Sequence, residues 1–247
     1  MTLDVHPLEI VSDGLRLRGG ALVPDVVRAT VVLLHGIPSS APPEPGDTGY
    51  EGFARLFVET GYAAVWADMR AVRDSEGYFS IEGWVRDAAR IVEDAAALAP
   101  DKPLALIGSS AGGCVATEAV ARGASVQALG LLAAPAAWVS FATDAAAALQ
   151  RITIEAGMTV DPIVTADPAE WAAEFEKVTT TRAVTGVEVP ILIVHGTADD
   201  VVSVDHASRL HDAAPHARLE IIEGGGHQLR RDERSVKLVL DWLDEIL

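Results

Sequence analysis

The 247-residue chain carries 36 acidic against 19 basic residues, a net charge of −17, and is 49% hydrophobic. That apolar content at this length builds one core of ample size and excludes disorder over most of the chain. With only three lysines, the chain lacks the clustered cations that nucleic acid or an anionic membrane surface needs, and no apolar run approaches the ~20 residues that cross a bilayer. The first residues, Met1 to Pro7, show neither the basic region nor the apolar core of a secretory leader, and Cys114 has no partner for an internal disulfide. Both features point to a cytoplasmic protein, with Cys114 as a buried small residue.

Residues 8–22 form two alternating runs around Asp13-Gly14, the signal of a hairpin. Ala29 to Leu34 is a short apolar run of the kind that makes a strand buried on both faces, and it leads into His35-Gly36-Ile37-Pro38. A Pro/Gly-rich loop covers 41–49, then a helix over 50–60 with Phe53, Leu56 and Phe57 on one face. A strand over 62–67 ends in Asp68-Met69-Arg70, and an amphipathic helix follows from Ile81 to Ala99. Further strands are expected at 104–107, 128–133, 191–194 and 218–222, with helices at 205–213 and 231–247. Buried strands alternating with helices define an α/β fold, a mostly parallel sheet covered on both faces, with an antiparallel hairpin at its start.

The rhythm breaks between 136 and 189, a stretch too long for a simple connection. It is expected to be a lid inserted into a core made of 1–135 and 190–247, helical around Phe141 to Ile154 and Pro168 to Lys177. Trp138, Phe141, Trp171 and Phe175, with Trp84, Tyr78 and Phe79 upstream, either line an acyl or aryl pocket or form the lid's own packing.

The chemistry centres on Gly108-Ser109-Ser110-Ala111-Gly112. A G-x-S-x-G turn between strand and helix places its central serine, Ser110, in a strained conformation with the hydroxyl exposed at a helix N-terminus. Such a serine needs a base and a group that orients the base. Of seven histidines, His227 follows a strand and three glycines and is the base; His35 is expected to hold the loop after its strand, His195 to be structural, and His206, His211 and His216 to be solvated. The strand at 191 delivers His195-Gly196-Thr197-Ala198-Asp199-Asp200 at its C-terminal edge, where such sheets place their sites. Asp199 is the preferred carboxylate and Asp200 the alternative, one of the two capping the next helix.

The order Ser110, Asp199, His227 resembles that of the α/β-hydrolases. Nearly the whole chain is similar to that superfamily, particularly to small bacterial serine esterases of the serine aminopeptidase and feruloyl-esterase type. The resemblance implies an oxyanion hole made by the backbone N–H groups of Ile37 and Ala111. Two departures stand out: Ala71-Val72-Arg73 replaces a glycine-containing turn, which must then take another shape, and Ser203 stands where proline is usual.

These readings imply a serine hydrolase that cleaves a small carboxylic ester through an acyl-enzyme, with no metal or cofactor. Thioesterase, peptidase and carbon–carbon bond hydrolase chemistry share the triad, and a non-catalytic binding protein is the other class. A homodimer is left open.

Overall fold

A computed structural model describes residues 3–43 and 45–247. These contain eight strands: β1 (His6–Ser12), β2 (Leu15–Leu22), β3 (Ala29–Leu34), β4 (Tyr62–Asp68), β5 (Leu104–Ser109), β6 (Ala128–Leu132), β7 (Ile191–Gly196) and β8 (Arg218–Ile222). They form one sheet in the order β1-β2-β4-β3-β5-β6-β7-β8. The β1–β2 and β2–β4 pairings are antiparallel, and every pairing from β4 across to β8 is parallel. The hairpin turn is the expected Asp13-Gly14, both residues left-handed (φ 51° and 78°), which suits the twist of the flanking strands.

The apolar runs exist because both faces of the sheet are covered. On β3, Val32 and Leu34 face one apolar cluster and Val31 and Leu33 the other; Leu104 and Leu106 against Ala105 and Ile107 repeat the split on β5. The first cluster lies under α2 (Ile81–Ala96), α3 (Ala111–Ala121) and α10 (Asp205–Ala213). The second lies under α1 (Gly49–Val58), through Phe53 and Phe57, and α11 (Glu233–Ile246), through Val236, Val239 and Trp242. Leu56 was expected on the buried face of α1 but is 38% exposed; Ala54 and Val58 complete that face instead. The helix expected to reach Ala99 ends at Ala96, and α11 begins two residues late, behind a 3-10 turn at Leu229–Arg231 and capped by the Asp232 carboxylate. No helix of the described residues is long and apolar enough to cross a membrane.

Between β6 and β7 the chain forms α4 (Val139–Thr143), α5 (Ala145–Gln150), a π-helical turn (Arg151–Glu155), α6 (Pro162–Ala166), α7 (Ala169–Ala172), α8 (Glu174–Lys177) and α9 (Thr180–Ala183). The single helix expected from Phe141 to Ile154 is broken at Asp144, whose carboxylate turns back to accept Ala147 N–H and start α5. Phe175 is 1% exposed, and its ring meets those of Trp138, Phe141, Trp171 and Phe79 at 4.9–6.3 Å. Of the two roles left open for these aromatics, mutual packing is the one they adopt; Tyr78 stays 49% exposed. The segment is also bonded to the core: Ser40 N–H to Glu155 O, Phe79 N–H to Thr159 O, and Ser80 Oγ–H to Glu174 Oε2.

Candidate active site

Parallel pairing from β3 to β8 sends the loops after β3, β5, β7 and β8 to the same edge of the sheet. Ser110 follows β5 with φ 52° and ψ −123°, a conformation L-residues rarely adopt, and α3 starts at the next residue. The turn is locked by Ser110 N–H bonding to Leu132 O at 2.8 Å and Gly113 N–H to Ser110 O at 2.9 Å. Gly112 is required here: a Cβ would lie 2.4 Å from His35 O. That close approach brings the loop after β3 onto the serine turn, so that a Cβ on Gly36 would sit 3.4 Å from Ser110 Oγ.

The loop after β3 is held by His35, as expected. Its ring is buried; Nδ1–H donates to Gly36 O at 2.7 Å and Nε2 accepts from Met69 N–H at 2.9 Å. Only the neutral Nδ1–H tautomer makes both bonds, and burial keeps the ring's pKa below its ordinary value. Met69 is fixed in turn by Arg70, whose guanidinium is paired with the fully buried Asp87 at 2.7 Å and with Asp13 at 2.8 Å. Just beyond, Ala71 and Arg73 are left-handed at φ 66° and 48°. The turn without glycine therefore still adopts backbone that glycine favours, with Arg73 paired to Asp68.

His227, in the loop after β8, places Nδ1 2.8 Å from Asp199 Oδ2, in the loop after β7. The two loops are laid together by Ala198 N–H to Gly225 O (2.9 Å) and Gly224 N–H to Thr197 Oγ1 (2.8 Å). Gly196 permits that contact, since a Cβ there would meet Gly225 O at 2.0 Å. The other carboxylate oxygen of Asp199 accepts Val201 and Val202 N–H, at 2.9 and 2.8 Å. His195, fully buried, donates from Nε2 to Val202 O at 2.8 Å and lies 3.3 Å from Asp199 Oδ2. Burial alone would raise the Asp199 pKa, but the hydrogen bonds from His195, His227 and Val202 outweigh it and hold the carboxyl well below the usual range. Asp199 is thus an ionised carboxylate facing an imidazole.

Asp200 is exposed and pairs with neither histidine. The expectation that one of the two aspartates caps the next helix is not met: α10 follows Val204 without a side-chain cap, because Asp199 Oδ1 is used by the tighter turn at Val201–Val202. Ser203, in the usual proline position, accepts Asp205 N–H weakly at 3.4 Å. His206 is only half-exposed; its Nδ1 accepts Ala136 N–H at 2.9 Å, so it holds the chain where it leaves β6. Cys114 is buried as expected, and burial pushes its thiol up to about 12. Ala111, the first residue of α3, has an N–H without a carbonyl partner inside the helix. Among the described residues no hydrogen bond joins His227 to Ser110. Sequence reasoning missed Arg230 and Asp47. They pair from 183 residues apart, between the loop after β3 and the loop after β8, and no local pattern links them.

An eight-stranded, mostly parallel sheet with a serine turn after its fifth strand and a histidine–aspartate pair from its last two loops defines an α/β-hydrolase. The family model for serine aminopeptidases of the S33 type matches residues 25–168 and 158–234, and the chain belongs to that family. Among solved structures it is similar to Est1E from Butyrivibrio proteoclasticus, solved with ferulic acid bound: 19% identity, TM-score 0.73, covering 97% of this chain and 98% of that one. The Pyrococcus furiosus esterase Pf2001 is similar at 17% identity and TM-score 0.73, over 99% of this chain and 93% of that one. A protein of Mycobacterium tuberculosis described as uncharacterised, Rv2715, is 40% identical over 58 residues. The match spans 23% of this chain and only 17% of that relative.

Proposed function

We propose that this hydrolase-family chain cleaves small carboxylic esters by acyl transfer through Ser110. His227 takes the Ser110 hydroxyl proton as the oxygen attacks the ester carbonyl, forming the tetrahedral intermediate. The carbonyl oxygen, now negative, is met by the N–H groups of Ile37 and Ala111. Two such donors are each worth roughly 3 kcal/mol of barrier. His227 gives its proton to the departing alcohol, leaving the acyl group on Ser110, and then activates the water that releases the acid. Asp199 stays ionised throughout and stabilises the imidazolium.

The observation that carries this reading is the 2.8 Å contact from His227 Nδ1 to a buried, ionised Asp199, with Ser110 held in the left-handed turn at the same sheet edge. Residues 136–189 serve as the lid. In support, the segment follows the β6 edge beside Ser110 and touches the oxyanion-side loop at Ser40. The test is hydrolysis of short- and medium-chain p-nitrophenyl esters by wild type and Ser110→Ala. Ester turnover abolished by the substitution supports the reading; a folded wild type inactive on every ester overturns it. Because the family is described by aminopeptidases, the panel includes aminoacyl p-nitroanilides, and preference for these would move the assignment to peptide bonds with the same three residues.

A further inference from the structure

The loops that carry Ile37 and His227 leave β3 and β8, which lie four strands apart in the sheet, about 19 Å at ordinary strand spacing. Acyl transfer needs both to converge on Ser110. The bonds described so far attach the His227 loop to its neighbour after β7, and the Ile37 loop to β4 and the serine turn. A further contact spans the gap. Arg230, three residues beyond His227, donates Nη1 to Asp47 Oδ1 at 2.7 Å and Nη2 to Asp47 Oδ2 at 2.5 Å. Asp47 lies in the loop that continues from Ile37 into α1.

We propose that the Arg230–Asp47 pair is a clasp whose two members are positioning residues, setting the His227 loop in register with the oxyanion-side loop. The proposal rests on the reading of His227 as the base. Four features support it. The pair is fork-to-fork, the geometry that fixes direction as well as distance. Both side chains are largely shielded, 16% and 9% exposed, so solvent does not screen the contact as it would a surface pair. The carboxylate is fixed on its own side by Gly49 N–H at 2.9 Å, and Arg230 is linked to His227 through the turn closed by Leu229 N–H to His227 O at 2.9 Å.

Finally, the guanidinium lies 5.4 Å from the centre of the Tyr50 ring. Tyr50 donates its hydroxyl to Leu34 O at 3.3 Å and meets the His35 ring edge-on at 6.2 Å. Displacing Arg230 is therefore felt at the end of β3 through two routes, the carboxylate and the ring. A buried pair adds little net stability against an apolar replacement, so placement of the loops is the better account of what it does.

The experiment compares wild type, Arg230→Gln, Arg230→Lys, Asp47→Asn and the double Asp47→Asn/Arg230→Gln. Turnover of a p-nitrophenyl ester is measured alongside backbone hydrogen exchange of residues 34–40 and 224–231. Misplacement of about an ångström predicts kcat lower by about 10- to 100-fold in Arg230→Gln and Asp47→Asn. KM should stay within about twofold, since substrate contacts are untouched. Arg230→Lys should recover part of the loss, and the double variant should be no worse than the poorer single. Exchange should quicken in both segments together. Unchanged kcat, a change in KM alone, or faster exchange confined to 224–231 overturns the clasp. Should wild type prove inactive on all esters, the hydrolase reading fails, and the exchange data judge the clasp independently.

Discussion

The sheet edge that carries Ser110, Asp199 and His227 and the segment from 136 to 189 are built on opposite plans. At the sheet edge, position comes from strand ends, glycine contacts and main-chain hydrogen bonds, reinforced by polar side-chain bonds such as those of the His35 ring and the Arg70–Asp87 pair. In the segment, position comes from side chains. Its helices are four to six residues long, too short to be stable by themselves, and what fixes them is the ring cluster around Phe175 and a few bonds to the core. The proposed chemistry, which tolerates only sub-ångström error, is thus placed on the polar, backbone-built plan, and the proposed lid on the one built from side chains.

Several substitutions probe this contrast. The largest effect is expected for Asp199→Asn, which leaves the loops in place but favours the wrong imidazole tautomer; kcat should fall about a thousand- to ten-thousand-fold. Asp200→Asn, one residue on and exposed, is the control and should stay within about twofold. Next is Asp87→Ala, which leaves the buried Arg70 guanidinium with only the partly exposed Asp13 as ion-pair partner and should lower unfolding free energy by about 3 kcal/mol in urea titrations. Phe175→Ala should cost about 3 kcal/mol, but the loss should appear first as faster proteolysis or exchange within 136–189, while Ser110 remains reactive to a phosphonate probe. If Phe175→Ala silences Ser110 as fully as Asp199→Asn does, the two regions are one cooperative unit and the contrast is broken.

The smallest effect concerns acid. Asp47 is held at about 2, because Arg230 and the Gly49 N–H favour its ionised form. A carboxyl lowered below its unfolded value, ordinarily about 3.9, stabilises the fold fully above that value and loses the contribution as pH falls toward its folded value. The acid limb of stability between about pH 4 and 2 should therefore be shallower in Asp47→Asn, by about 2 kcal/mol in total. His35 acts higher: its lowered pKa means stability declines as pH drops below about 6.5, where the unfolded imidazole takes a proton and the buried one resists.

How much of this was legible in the sequence follows the same division. Strand runs such as Ala29 to Leu34 report burial on both faces, and Gly108 to Gly112 reports a tight turn, so the sheet and Ser110 could be read locally. That Asp199 and His227 meet could be anticipated because each lies in the loop after a strand, where topology delivers side chains to the same edge. Leu56 was misplaced because α1 buries Ala54 and Val58 beside Phe53 and Phe57, so small residues complete the core face where the larger Leu56 was expected. The Asp144 break divides the stretch read as helical from Phe141 to Ile154, since a capping carboxylate competes with continuation. His206 looked solvated because nothing local announces that its ring meets Ala136. Arg230 and Asp47 were invisible for the strongest reason: their pairing exists only once eight strands are in order.

The π-helical turn at Arg151–Glu155 has a consequence for anyone who would exchange this segment for another. Its carbonyls at Ile154 and Glu155 receive Ser40, three residues past Ile37, so the insert is stitched to a loop far from its own ends. A transplanted segment matched only at 136 and 189 would arrive with its two ends closed and the seams to Ser40, Phe79 and Ser80 open. Chimeras that also carry over residues 38–41 and 79–80 should keep their turnover where simpler grafts lose it.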